Sequence, residues 1–150
     1  MVFLKRNIVI IMTALLIFTI CFMGIGISAQ KKSIDRLQEE NNIIYIRCLE
    51  QIANGIEDYK KAEEDVSLRN ASSWAGKAVI VSKSMSFEKK QYLESIAIML
   101  DEFFSKTTRP DSAAKTEEIY KLIPCLRSVA ENPNDKQKID NLTYTLQSTY

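Results

Sequence analysis

The stretch Tyr45–Tyr59, YIRCLEQIANGIEDY, decides the fold class. Its large apolar residues Tyr45, Leu49, Ile52, Ile56 and Tyr59 recur at i, i+4, i+7, i+11 and i+14, which lines one face of an α-helix. Upstream, Ile34, Leu37, Ile44 and Cys48 extend that face with a 3-4 rhythm. Asn41 and Asn42 interrupt it where apolar residues are expected. A buried asparagine there would fix the register of a paired helix. The simpler reading is a solvated weak point, and it is the one expected here. No proline occurs between Ile8 and Leu68, so the helix is expected to continue to about Arg69-Asn70.

Following the chain towards its start leads to a second decisive stretch, Ile8–Ile27 (IVIIMTALLIFTICFMGIGI), uncharged and apolar almost throughout. At about 1.5 Å per helical residue it reaches roughly 30 Å, the thickness of bilayer hydrocarbon. A cleaved signal peptide would have a shorter apolar stretch and a small-residue cleavage site, for which Ala29 is the candidate. The length favours an uncleaved signal-anchor. Lys5 and Arg6 precede the run and Lys31, Lys32 and Arg36 follow it, so the positive charges nearly balance. The short leading tail is expected to stay cytoplasmic, which places the following domain outside. Gly24 and Ser28 form a small-xxx-small pair of the kind that brings two spans together. The expected organisation is residues 1–29 as tail and anchor, and residues 30–150 as one soluble helical-bundle domain.

Downstream, the same spacing predicts a helix over Ala71–Met85, with Trp74, Ala78, Val81 and Met85 on one face and Asn70 or Ser72 as cap. Ser84-Met85-Ser86 reads as a corner with Ser86 capping the next helix. A third helix over Phe87–Lys106 carries Tyr92, Ile96, Met99 and Phe103, widened by Leu93, Leu100 and Phe104. Thr107-Thr108-Arg109-Pro110-Asp111 is a break, with Asp111 or Ser112 capping a fourth helix. Pro124 within it predicts a kink or a split near Tyr120. Asn132 with Pro133 would open a last helix bearing Ile139, Leu142 and Leu146. The fold class is therefore all-α: a single transmembrane helix continuing into an antiparallel bundle of four or five amphipathic helices.

Little in the chain points to chemistry. It contains no histidine, which removes the commonest general base and metal ligand. Glu39-Glu40, Glu63-Glu64-Asp65, Asp101-Glu102 and Glu117-Glu118 are adjacent pairs whose side chains diverge on a helix, so they read as solvated faces. No phosphate loop or nucleophile elbow is found. With Lys5 and Arg6 set aside, 18 basic residues face 19 acidic ones, which gives no basic surface for nucleic acid. Neither an enzyme nor a cofactor is expected. Cys48 and Cys125 are a candidate disulfide outside the cytoplasm; the alternative is two free thiols within the core. Trp74 and Asn41 are the candidate ligand or partner contacts, with an ordinary core role for Trp74 as the plainer reading.

One span continuing into a bundle resembles the extracytoplasmic sensor modules of chemoreceptors and sensor kinases, except that no second span or signalling domain follows before Tyr150. The Tyr45–Tyr59 helix followed by the Trp74 helix resembles the anchored helical region of spore-germination membrane proteins, without their peptidase-propeptide-like repeats. Neither resemblance assigns residue roles. The expected function is a membrane-anchored, extracytoplasmic, non-enzymatic interaction or tethering module. Its expected partner is a membrane-bound protein or a second copy of itself. The alternatives are a small-molecule-sensing four-helix module, or a secreted helical domain if cleavage follows Ala29.

Overall fold

The computed structural model describes residues 2–62, 64–107 and 116–149, without the side chains of 2–11, 14, 21, 24, 25 and 116. The described residues form six helices and no strand. They are α1 (Val2–Ala62), α2 (Asp65–Ser82), α3 (Lys90–Thr107), α4 (Thr116–Tyr120), α5 (Leu122–Glu131) and α6 (Lys136–Thr149). They divide into two compact units, Met1–Leu37 and Gln38–Tyr150.

Unit 1 is helical throughout its described residues, and its described large apolar side chains are exposed. Met12, Leu15, Leu16, Ile17, Phe18, Ile20, Phe22, Met23 and Ile27 are all exposed. Among the described residues no helix is long and apolar enough to cross a membrane. The expected span includes Ile8 to Ile11, Ala14, Cys21, Gly24 and Ile25, whose side chains lie outside the described residues, as do those of Lys5 and Arg6.

Unit 2 is a helical bundle built on residues 38–62 of α1. The stripe Tyr45, Leu49, Ile52 and Ile56 is wholly buried, together with Cys48 and Ala53. Helix α2 comes close enough that a Cβ on Gly55 would lie 3.0 Å from the Ser67 carbonyl oxygen and 3.1 Å from Ala71 Cβ. The approach is possible because α2 turns a small-residue face inward, Ala71, Ala75 and Ala78 at i, i+4 and i+7. Gly55 faces Ala71 while Asn41 reaches Ser84, so α1 and α2 are antiparallel. Gly76 faces Asp101 and Lys83 faces Lys90, which makes α3 antiparallel to α2. The α4–α5 segment runs antiparallel to α1, with Tyr120 of α4 beside Lys60 and Arg127 of α5 beside Asn54. It is antiparallel to α6 as well, through Cys125 with Thr145 and Glu131 with Lys138. Phe104, Leu93, Ile96, Leu100, Leu122, Leu126, Ile139, Leu142 and Leu146 complete one core.

One polar side chain organises that core. The Tyr45 hydroxyl donates to the Leu93 carbonyl oxygen at 2.7 Å, tying α1 to α3. Burial, with Cys48 nearby, pushes this phenol far above its ordinary value, so it stays a neutral donor at every working pH. Tyr45→Phe keeps the ring, its edge contact with Phe87 at 6.3 Å and the packing, and removes only the bond. A loss of about 1 kcal/mol is expected in the urea unfolding of the full chain in detergent, read by the fluorescence of Trp74. No change would mean that the bond adds nothing beyond the ring.

Several boundaries differ from the sequence reading, each for a physical reason. The first helix ends at Ala62, not near Arg69-Asn70, and α2 starts at Asp65, not Ala71. Lys60 and Lys61 occupy the last turn of α1 and Asp65 the first turn of α2, where each charge suits the helix dipole. The third helix starts at Lys90 rather than Phe87, because Ser86 does not cap it. Its N–H and hydroxyl are both taken by Asn42. The last helix is capped by Asp135, which accepts from the N–H groups of Gln137 at 2.9 Å and Lys138 at 3.3 Å. Asn132 instead closes α5. The split at Tyr120 is present, and Pro124 falls in the first turn of α5, where a missing N–H costs little. The break at Thr108–Asp111 and the caps Asp111 and Ser112 lie outside the described residues.

Candidate functional site

Two shallow depressions lie side by side along the seam between α1 and α5. The larger, about 520 Å³, is lined by Glu57, Lys60, Lys61, Tyr120, Ile123, Pro124 and Arg127. The smaller, about 270 Å³, is lined by Glu50, Asn54, Arg127 and Glu131. Arg127 belongs to both. It reaches out of α5 to donate to Asn54 Oδ1 at 3.2 Å and to the Glu57 carboxylate, both on α1. Lys61 pairs with the same carboxylate at 3.2 Å, one turn along the helix. Lys60 Nζ stands 5.1 Å from the centre of the Tyr120 ring.

The hydrogen bonds from Arg127 and then Lys61, reinforced by their charges, hold the Glu57 carboxyl below the usual carboxylate range. Above the unfolded-state value of about 4.3 the network contributes its stability, which is lost as pH falls through the lower folded-state value. The gap in unfolding midpoint between the wild-type chain and Glu57→Gln should therefore be constant from about pH 6 to 8 and close below about pH 4. A gap that widened in acid would contradict the pairing. Both residues are substantially exposed, so the network orients α5 on α1 more than it stabilises either. Chemically the seam offers fixed charges and a ring, with no nucleophile beside a base.

The four candidate positions from the sequence fall in different places. Asn41 donates to the Ser84 hydroxyl at 3.2 Å. Its neighbour Asn42 accepts from the Ser86 N–H at 2.8 Å and donates to the Ser86 hydroxyl at 3.0 Å. The pair is thus a clasp on the corner between α2 and α3, at the surface of unit 2 and not in its core. From the other side Asn134 accepts from the Glu88 N–H at 3.0 Å. Trp74 is half-buried against the core, with Lys77 Nζ 4.7 Å from its ring centre. Neither Asn41 nor Trp74 lines the two depressions, and nothing brings them together.

Cys48 and Cys125 are both free thiols here. Cys48 is buried within α1, and that burial pushes its thiol up, partly opposed by the charges of Lys77 and Arg47. Cys125 Sγ lies 3.6 Å from Thr145 Oγ1 and accepts from Asn141 Nδ2 at 3.7 Å, which directs it at α6. Among the described residues no group of three or more Cys, Asp or Glu is placed to hold a metal ion. The Arg127–Glu57–Asn54 cluster escaped the sequence reading because Arg127 lies 70 residues or more from its two partners. No local spacing announces such a cluster.

Comparison with protein-family models, with curated proteins and with solved structures finds no match.

Proposed function

We propose that this chain is a membrane-anchored, non-enzymatic helical interaction module, with unit 1 supplying the anchor and unit 2 the bundle that meets a partner. The observation that carries this reading is the exposure of apolar residues around the whole circumference of unit 1. Leu15, Leu16, Ile17 and Phe18 are consecutive, so they point about 100° apart and cover every direction, and each is more than half exposed. Burying such a side chain is worth about 1.5–3 kcal/mol, so leaving nine of them in water would cost of order 10 kcal/mol. Lipid is the solvent that removes this cost without a protein partner on every side. Within it the helix satisfies its own backbone groups. The sequence adds the length, Ile8–Ile27 without a charge.

For unit 2 the support is its core. Among the described residues its buried side chains are apolar apart from the Tyr45 hydroxyl, bonded to Leu93, and Ser82, whose hydroxyl donates to the Val79 carbonyl oxygen at 2.9 Å. That composition favours a packed platform over a small-molecule sensor with a polar chamber. Tethering then raises the concentration of the platform near any partner in the same membrane.

Membranes from cells expressing the full chain, washed at alkaline pH, test the anchor. The reading expects the chain in the washed pellet and its release only by detergent. Recovery in the alkaline supernatant would overturn it.

A further inference from the structure

We propose that unit 1 pairs in parallel with unit 1 of a second copy through the stripe Leu16, Ile20, Met23, Ile27, Ile34 and Leu37. The stripe keeps a strict 3-4 alternation, broken in identity only at Gln30, and every one of the six residues is more than half exposed. A 3.5-residue period is the signature of helices that wind around each other rather than of a helix that merely faces lipid. Between Leu16 and Ile27 the stripe is hidden among other apolar residues. Past Ile27 the surroundings become Lys31, Lys32, Asp35 and Arg36, yet positions 34 and 37 remain large and apolar. Lipid no longer accounts for them there.

In the same register, positions 41, 44 and 48 are Asn41, Ile44 and Cys48, which unit 2 covers from within the chain. Upstream of Gln38, Ile34 and Leu37 are more than half exposed. A second copy is the occupant that fits, because its own stripe has the matching period. Charge agrees with this choice. In a parallel, in-register pair the positions flanking the seam bring Lys31 against Gly26 and Gln38 against Ser33, with no like charges opposed. Lys32, Asp35 and Arg36 point away from the seam. The apolar part beyond Ile27 is far too small for free proteins, whose stable interfaces bury roughly 1,200–2,000 Å². The pairing therefore depends on the anchor to hold both copies in one membrane, and in that respect it rests on the function proposed above.

Cysteines added one at a time at positions 30 to 37 of the full chain, in a Cys21→Ser, Cys125→Ser background that keeps only the buried Cys48, test it. Membrane vesicles are oxidised and the disulfide-linked dimer is read on a non-reducing gel. Dimer yield should peak at 30, 34 and 37, at least about fivefold above 32, 35 and 36, as seam and outward positions differ in paired helices. A flat profile, no dimer, or adducts with a different protein would overturn the pairing. Alkaline washing of the same vesicles separates the two readings. A washed pellet with a flat profile removes the pairing and leaves the anchor, whereas release of the chain into the alkaline supernatant removes the anchor and with it the pairing.

Discussion

Gly55→Leu is expected to unfold unit 2, with a loss of about 3 kcal/mol or more. The reason is where the new atoms would go. A Cβ alone would lie 3.0 Å from the Ser67 carbonyl oxygen and 3.3 Å from the Ala71 backbone nitrogen, and backbone cannot swing aside as a side-chain tip can. The further atoms of leucine must push α2 off α1 and open the contact at Ala71 and Ala75. Gly55→Ala is a subtler case. Alanine gains about 1 kcal/mol of helix propensity over glycine, and the close contacts take back most or all of it. Gly76→Ala provides the control. Its Cβ would meet only the carboxylate tip of Asp101 at 3.3 Å, which can rotate away, so the variant should gain up to about 1 kcal/mol. Unfolding in urea, followed by Trp74 fluorescence in the full chain, ranks the three. An equal gain from alanine at both glycines would show that α1 and α2 are not in close contact at Gly55.

The second large effect is expected in unit 1. Ile17→Arg combined with Phe18→Arg places two charges near the middle of the apolar run, on faces about 100° apart. One helix rotation cannot shield both. Each arginine at the centre of a span costs about 2.5–3.5 kcal/mol on insertion scales, so together they cost about 5–7 kcal/mol. The alkaline-resistant fraction should fall by at least about tenfold, the shift that 1.4 kcal/mol alone would produce. Trp74 fluorescence should stay native, because these positions belong to unit 1 and not to the core of unit 2. An unchanged pellet would mean that the run does not hold the chain in lipid.

How far the sequence reveals the fold can be judged from particular residues. Periodicity identifies most of the buried faces, since Tyr45, Leu49, Ile52, Ile56, Leu93, Ile96 and Leu100 are buried as their spacing implies, whereas Ile34, Leu37 and Tyr92, on the same expected stripes, are exposed. The split at Tyr120 also follows, because proline chemistry is local. The junction of α1 with α2 is harder, as it holds neither proline nor glycine. Its signal is the switch from Lys60-Lys61 to Glu64-Asp65, positive charge at one helix end and negative at the next start. Read only as solvated charges, that switch is lost. The asparagine clasp and the Arg127 network are illegible for a different reason. Asn42 meets Ser86 across 44 residues and Arg127 meets Glu57 across 70, so each depends on how the helices dock. Gly55 stands between these cases: a glycine on the border of a buried helical stripe hints at a close approach, but not at which helix approaches.

The central claim is that the apolar run stays on the chain and holds it in a membrane. Its most direct test is the intact mass of the protein recovered from alkaline-washed membranes of its native source. The expected result is a protein in the membrane fraction that still carries the segment before Gln30. A mature chain beginning at Gln30 in the soluble fraction would contradict it.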